Sequence, residues 1–255
     1  MPQRKIQRDK YKSNYLTNVI LNIRLPKVLE LSNGKSPSDF QKKIVDIFPS
    51  IREIPGDIFE ISGKTFKQEK RVGWEFINKE KTRRIFLEPE TLEIEFNKYS
   101  TFEDFFDTVN LIFTTLIELY PIKIVQGVSL RYINQIFFES GNPYNWGRYI
   151  KKSLFNFPID FFEGDVKPLR YLNSLDFKEN DYTIHFVYGL FNSEYPSQIN
   201  RKEFVLDYRC YMHEDIETSI VLEKIKEFHE IEGRWFEKSI LQPLREKMGV
   251  FKNGK

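Results

Sequence analysis

Alternating apolar and polar residues predict strands along much of this chain. The first alternation covers residues 16–25, and Pro26 follows it directly. Because every second side chain of a strand lies on the same face, such segments predict antiparallel sheets with one buried face. Further strand patterns cover residues 58–66, 72–78, 84–87, 92–96, 170–177, 182–191 and 204–212.

The longest strand pattern, residues 127–138, is apolar on both faces. Leu130 and Ile136 lie on one face, and Ile133 lies on the other. A strand of this kind is typical of the centre of a sheet that is covered on both sides. Arg131 and Asn134 interrupt the pattern, and buried polar groups need hydrogen-bond partners. We therefore expect both residues to belong to a polar network or to a binding site.

Apolar residues at helical spacing predict the main helices. Ser100 is predicted to cap a long helix, and a shorter helix is predicted at residues 143–155. Residues 216–248 predict a closing helical segment that kinks or breaks near Gly233 or Pro243. The apolar stripe of the long helix consists of Phe102, Phe105, Phe106, Val109, Ile112, Phe113, Leu116 and Ile117.

The order of these elements predicts an α+β fold in which antiparallel sheets are backed by long helices. Residues 1–14 are predicted to form a flexible basic arm, residues 15–121 an N-terminal α+β half, and residues 122–255 a C-terminal α+β half. Each half contains a strand, a helix, three or four strands and a long helix, which indicates a pseudo-twofold duplication. One continuous domain, with a single sheet gripping a long helix, is the alternative that the pattern leaves open.

Composition narrows the possible classes of protein. The net charge of +2 is too small to indicate a nucleic-acid partner by itself. A single cysteine, Cys210, excludes an intramolecular disulfide and fits a reducing cytoplasm. The sequence contains no apolar run long enough for a transmembrane helix and no signal-peptide pattern at its N-terminus. We therefore expect a cytoplasmic protein that does not associate with membranes.

No motif assigns a catalytic residue, a metal site or a cofactor. Gly63-Lys64-Thr65 resembles the end of a P-loop, but the earlier glycine of that motif is missing and a strand pattern follows. His229 resembles the first ligand of a zinc-protease helix, but Gly233 stands where the second histidine should be. We therefore expect neither a metal nor a cofactor, and a hydrolase or nuclease with an unrecognised site remains a separate alternative.

A basic segment with interleaved aromatic residues covers residues 64–86. Cations can hold phosphates and aromatic rings can stack on bases, so this segment makes nucleic-acid binding an alternative function. The opposing interpretation is that the aromatic residues face the core while the lysines are solvated. The candidate residues are Lys64, Lys67, Lys70, Arg71, Trp74, Lys79, Lys81, Arg83 and Arg84.

Arg131 has two possible roles in the central strand. In the first, it belongs to a buried ion pair or carbonyl network with Asp207, which lies on the more polar face of another predicted strand. In the second, Arg131 and Asn134 form an anion site at the end of the strand. Both roles suit the guanidinium fork, which makes two parallel bonds to one carboxylate or phosphate.

The segment Leu130-Arg131-Tyr132-Ile133-Asn134 resembles the hallmark motif of a bacterial family of sporadically distributed proteins of about this length. The pattern that contains His229 and Met248-Gly249 is similar to the ending of that family, and residues 99–105 are similar to its entry into the first long helix. The resemblance implies no catalytic residue and no ligand. The patchy distribution of the family suggests a mobile element or an anti-phage defence system.

We interpret the chain as a non-catalytic binding or regulatory module in a larger bacterial system. It would act on a protein partner or associate with itself. The nucleic-acid-binding function of residues 64–86 is the first alternative, and an unrecognised enzyme is the second.

Overall fold

The computed structural model describes residues 11–32, 36–62, 65–155 and 166–249, with the backbone alone for residues 56–72. In that part of the chain the fold is α+β, with mostly antiparallel strands. None of the helices there is long and apolar enough to cross a membrane. The strands are β1 (Leu16–Arg24), β2 (Ser50–Ser62), β3 (Thr65–Ile77), β4 (Arg83–Glu88), β5 (Thr91–Phe96), β6 (Ile124–Val125), β7 (Gly127–Phe138), β8 (Tyr171–Glu179), β9 (Tyr182–Leu190), β10 (Lys202–Met212) and β11 (Ile216–Glu217). The helices are α1 (Leu29–Ser32), α2 (Ser38–Ile44), α3 (Phe102–Leu119), α4 (Thr218–Ser239) and α5 (Gln242–Met248).

The chain divides into two compact units. The first comprises Asn18–Leu130 and Tyr211–Lys226, and we call it the N-terminal unit. The second, the C-terminal unit, contains the central segment Arg131–Cys210 together with both ends of the chain. The division falls within β1, β7, β10 and α4, and the predicted halves and their duplication stay a prediction. Most of the predicted basic arm, residues 1–10, lies outside the described residues.

The N-terminal unit has its strands in the order β2-β3-β4-β5-β1-β7. Antiparallel pairs join β2 to β3, β3 to β4, β4 to β5 and β5 to β1. The alternation predicted for the first strand is confirmed, since Val19, Leu21 and Ile23 are fully buried. On β5, Phe96 packs edge-on against Phe105 of α3, with ring centroids 5.1 Å apart.

Helix α3 buries the central positions of the predicted stripe, among them Phe105, Val109 and Phe113. Its N-cap is Thr101 rather than the predicted Ser100. The Thr101 side chain accepts a hydrogen bond from the Asp104 backbone amide at 3.2 Å. Both residues have the right chemistry for a cap, and only the backbone geometry of the helix entry selects between them.

The C-terminal unit has its strands in the order β7-β10-β9-β8. Predicted and observed bounds of β7 agree, at residues 127–138. Its core gathers apolar residues from β7, β9, β10 and α5 around Trp146, which is fully buried. Cys210 is buried on β10 as predicted, and burial raises the pKa of its thiol.

The segment predicted as a helix at residues 143–155 is not an α-helix. It consists of turns and a short 3-10 helix at Lys152–Leu154. Its backbone groups bond to the segment between α4 and α5: the Lys151 amide donates to the Ser239 carbonyl at 2.9 Å, and the Leu241 amide donates to the Tyr149 carbonyl at 2.8 Å. Other amides of the segment make local turn bonds, such as those from Tyr149 and Ile150 to the Trp146 carbonyl, so its backbone groups are satisfied without a continuous helix.

Two further boundaries differ from the sequence prediction. Residues 58–66 are not one strand, because the chain reverses between Ser62 and Thr65, which are directly paired. β2 also starts earlier than predicted, at Ser50, although Pro55 lies within it. A proline is tolerated there because β2 is the outermost strand of its order, where an amide donor is not needed on the open edge.

The closing helical segment breaks at one of the two predicted places. Gly233 lies inside α4, whereas α5 starts again with Pro243 in its first turn. Between the two helices, Ile240 pairs with Ile150 in an isolated β-bridge. Proline suits the first turn of a helix because its missing amide has no acceptor there anyway.

Candidate functional site

Arg131 on β7 and Asp207 on β10 form a two-bond ion pair. The Arg131 guanidinium donates from Nε to Asp207 Oδ1 at 2.9 Å and from Nη2 to Asp207 Oδ2 at 2.6 Å. The Asp207 side chain is 9% exposed and the Arg131 side chain is 42% exposed. The contact expected from the sequence is therefore present, while its structural or anion-binding role stays a prediction.

The other polar residues of the motif on β7 also bond to protein groups. Asn134 is buried, and its Nδ2 donates to the Leu206 carbonyl of β10 at 3.2 Å. The Tyr132 hydroxyl lies 2.7 Å from His229 Nδ1 on α4. Nothing in the spacing of the sequence indicates this tyrosine–histidine contact, because the two residues meet only through the packing of α4.

These contacts tie the motif strand to β10 and to α4. A buried guanidinium, amide or hydroxyl is stable only when its hydrogen bonds are made, and each of these groups has a protein partner. Among the residues that the structure describes, no group of three or more His, Cys, Asp or Glu is placed to hold a metal ion. The motif on β7 therefore has the features of a structural network.

Arg83 and Arg84, two of the three arginines of the predicted basic segment, are held in ion pairs within the N-terminal unit. Arg83 donates to both carboxylate oxygens of Asp104 on α3, each at 2.8 Å. Arg84 contacts Glu95 at 2.5 Å, and it contacts Glu75 and Glu93 at 3.4 Å each. A phosphate would have to compete with these carboxylates for both guanidinium groups.

The remaining residues of the basic segment are dispersed. Lys64 lies outside the described residues, and Lys67, Lys70 and Arg71 are described only by their backbone on β3. The register of the β2–β3 hairpin places Lys67 opposite Glu60 and Lys70 opposite Asp57. Of the other candidates, Lys79 and Lys81 are exposed, and Trp74 is half-buried.

A small pocket of about 280 Å³ lies on the polar face of the N-terminal sheet. Glu75 lies at its wall, only 1% exposed, because Arg52 and Arg84 cover it from both sides. The hydrogen bond from Arg52 to Glu75 raises the pKa of the Arg52 guanidinium. Charges of both signs line this pocket, so it does not form a purely cationic surface.

The outermost strand of the C-terminal unit, β8, carries exposed apolar residues. β8 is the last strand of its order, so alternate amide and carbonyl groups along its outer edge have no neighbouring strand in the described part of the chain. Leu172 is 40% exposed and Leu175 is 48% exposed. Exposed apolar residues continue before the strand, at Leu169 and Val166.

The side chains of β8 differ between its two ends. From Tyr171 to Leu175 the strand has no charged residue. Asp176 then forms a 2.8 Å contact with His185 on β9, and Lys178 is exposed. Charged residues protect edge strands against pairing, so the second half of β8 is protected and the first half is open.

A pocket of about 480 Å³ lies beside the residues that precede β8. Its lining includes the amide side chains of Asn142, Gln198 and Asn200 and the exposed Lys167. Among the described residues, Lys167 has no ion-pair partner. This end of β8 therefore offers hydrogen-bonding amides and one free positive charge next to an open strand edge.

Sequence reasoning did not identify the β8 edge. The strand pattern at residues 170–177 is visible in the sequence, but alternation alone does not say whether a strand is central or outermost. The absence of charge from Tyr171 to Leu175 was the available signal, and it gains meaning only once the strand order is known. Comparison of the chain with protein-family models, with curated proteins and with solved structures gives no match.

Proposed function

We propose that the chain is a non-catalytic protein-binding module whose binding site is the outer edge of β8. One observation carries the proposal: β8 is the outermost strand of its unit and exposes Leu172 and Leu175. An extended segment of a partner protein adds to such an edge as a further strand, because main-chain hydrogen bonds then satisfy the open amides and carbonyls.

The chemistry of the edge indicates the chemistry of the partner segment. Leu172 and Leu175 lie three residues apart and therefore on opposite faces of β8, so apolar residues three positions apart in the partner segment would cover both. An acidic group would meet Lys167 at the start of β8. Covering the exposed half of each leucine contributes about 1 kcal/mol, and each main-chain hydrogen bond contributes about 1 kcal/mol net. Set against the cost of association, these terms favour a micromolar affinity, roughly −8 kcal/mol at most.

The β8 edge supports this function better than the basic segment supports nucleic-acid binding. Arg83 and Arg84 are held by carboxylates, so they offer no free charge to a phosphate backbone. The polar residues of the motif on β7 bond to protein partners, which favours a structural role over a catalytic one.

The cellular setting belongs to the same proposal. A module with one buried cysteine is compatible with a reducing cytoplasm, where we place it. The resemblance of Leu130–Asn134 to the sporadic bacterial family supports a role in a larger system, such as a mobile element or an anti-phage defence system.

The proposal is tested with a phage-displayed library of random nonapeptides, selected against sparsely immobilised protein. Selected peptides are synthesised, and their binding is measured by fluorescence anisotropy. We expect peptides with apolar residues three positions apart and an acidic end, and we expect amide exchange to slow along β8 when they bind. The variant with Leu172→Lys and Leu175→Lys should lose this binding, because two charges then lie on the open edge.

The matched control is Leu111→Lys on α3, a leucine that is 39% exposed outside the C-terminal unit. It should bind the peptides as the parent protein does. Peptides that bind the β8 variant unchanged, or a selection that yields no binders, would contradict the proposed function.

A further inference from the structure

We infer that the partner at the β8 edge is a second copy of this chain, paired β8 to β8 in an antiparallel manner about a twofold axis at Leu175. The inference rests on the proposed function, because it names the strand that occupies the edge. An isologous contact of this kind closes after two copies, so it gives a dimer rather than a fibre.

The register follows from the sequence of β8. Pairing centred on Leu175 aligns the whole nine-residue strand with its copy. It places Leu175 opposite its own copy on the axis and Tyr171 opposite the partner's Glu179. Tyr171 and Glu179 then lie about 13 Å from the axis, at 3.3 Å per residue. A centre one residue later would place Asp176 opposite itself, and like charges directly opposite each other are destabilising. A centre between two residues would place side chains from opposite faces of the sheet directly opposite each other, which antiparallel pairing does not allow.

The charges along the edge are complementary to themselves in this arrangement. Residues 166–170 contain two basic and no acidic side chains, of which Arg170 bonds to the carbonyls of Phe191 and Asn192. Residues 176–181 contain three acidic and one basic side chain; Asp176 contacts His185 and Glu179 pairs with Arg234, which leaves Asp181 for the other copy. Antiparallel pairing brings the basic end of each copy to the acidic end of the other. The same attraction therefore occurs twice in the dimer.

In this register Asp181 of one protomer lies opposite Leu169 of its partner, and Lys167 lies two positions further along, about 7 Å away, within reach of its long side chain. The main charge pair is therefore the diagonal one between Lys167 and Asp181. Both residues are exposed, and among the described residues neither has a hydrogen bond or an ion pair. Asp181 lies in the tight turn between β8 and β9, directly after Asn180, whose φ is 55°. The turn of one copy would lie next to the amide-lined pocket that contains Lys167 of the other.

The apolar part of the contact lies at the axis. Leu175 is 48% exposed and pairs across β8–β9 with the buried Phe186. In the dimer each Leu175 packs against its copy and closes the edge of the core. Lysine at this position would place two ammonium groups opposite each other.

Sedimentation velocity over a micromolar concentration series tests the inference. The parent protein is expected to change from its 30.7 kDa monomer to a species of twice that mass. Leu175→Lys should remain monomeric throughout the series, and Leu111→Lys should dimerise as the parent protein does. Added salt should weaken the dimer, because the paired end charges are exposed.

A charge exchange separates a direct contact from a folding defect. Lys167→Glu and Asp181→Lys should each weaken dimerisation by about tenfold, since each places like charges together twice. A mixture of the two variants should form heterodimers with the affinity of the parent protein, because both contacts are then attractive again. If the homodimers of each variant are as stable as the heterodimers of the mixture, the inference is wrong.

The outcomes distinguish the inference from the proposed function. If peptides bind β8 but the chain remains monomeric, the second copy is not the partner and the binding function stands. If the chain forms dimers that ignore substitutions at Leu175, Lys167 and Asp181, the inference is wrong. If neither peptides nor a second copy bind at β8, both proposals are wrong.

Discussion

Replacing Arg131 by methionine is expected to destabilise the C-terminal unit by about 2–3 kcal/mol. Methionine keeps much of the volume of the arginine stem but removes both bonds to Asp207, which are 2.9 and 2.6 Å long. The carboxylate of Asp207 is 9% exposed, so it would lose this partner while poorly solvated.

The size of this effect follows from the burial of the two partners. Breaking a fully buried pair costs about 3–5 kcal/mol, and an exposed pair contributes about 0–1 kcal/mol. Arg131 is 42% exposed, so water can enter the space that it leaves and recover part of the loss. An intermediate value is therefore expected. Asp207→Leu should cost less, about 1 kcal/mol, because the half-exposed guanidinium can turn towards water.

The double variant provides the decisive measurement. With both charges removed, no unpaired carboxylate remains, and the protein should return to within about 1 kcal/mol of the parent protein. The free energy of unfolding is measured by urea titration, followed by the fluorescence of the buried Trp146. Lys42→Met is the control, since Lys42 and Asp39 are both 74% exposed and their pair should contribute less than about 0.5 kcal/mol.

Two results would refute this reasoning. An Arg131→Met variant with an unchanged urea midpoint would show that Asp207 does not depend on its partner. Costs that add without compensation in the double variant would show that the two side chains are not coupled. In the first case, loss of a bound anion or protein partner would assign Arg131 to a binding site instead.

Three further predictions concern the N-terminal unit. Phe113→Ala should lower the free energy of unfolding, measured by urea titration, by about 3–5 kcal/mol because Phe113 is 1% exposed in the core. Leu111→Ala, on the exposed face of the same helix, should lower it by less than about 1 kcal/mol, and similar losses would show that the stripe of α3 is not the core. Burial, followed by Glu30 and Asp39, raises the pKa of Tyr120 from 10.0 to about 12, so its stabilising contribution is lost as pH rises through that interval. Between pH 10 and pH 12 the free energy of unfolding of Tyr120→Phe should therefore fall by about 1–2 kcal/mol less than that of the parent protein. Parallel profiles of unfolding free energy against pH would contradict the prediction. Arg84→Met should lower the free energy of unfolding by about 2–3 kcal/mol because three carboxylates lose their common guanidinium, whereas Lys79→Met should change it by less than about 0.5 kcal/mol. Neither variant should show a salt-dependent change in the fluorescence anisotropy of labelled DNA or RNA.

Local patterns in the sequence were sufficient for the elements with strong periodicity. The bounds of β7 and the buried stripe of α3 follow from the sequence because many apolar residues repeat with the period of one secondary structure. The pairing of Arg131 with Asp207 could be inferred as well, since a charge within a buried strand requires a nearby opposite charge. In each case the residues of the segment itself show what must be buried or paired.

Residues 143–155 show where local reasoning fails. The sequence predicts a helix there, but the Lys151 amide and the Tyr149 carbonyl bond to Ser239 and Leu241, about 90 positions away. Burial of Trp146 in the core of the C-terminal unit adds to these bonds. Together they outweigh the small intrinsic preference of a short segment for helix.

The candidate sites depended most on the tertiary structure. From the sequence, Arg83 and Arg84 belong to a basic segment; in the fold, Asp104 and Glu95 hold them in ion pairs. From the sequence, β8 is one strand among several; in the fold it is the outermost strand, and its leucines are exposed. Periodicity determines which face of a segment is apolar, because that depends on neighbours along the chain. Which charges are neutralised and which edges stay open depends on neighbours across the fold, so the strand order and the packing of the helices decide them.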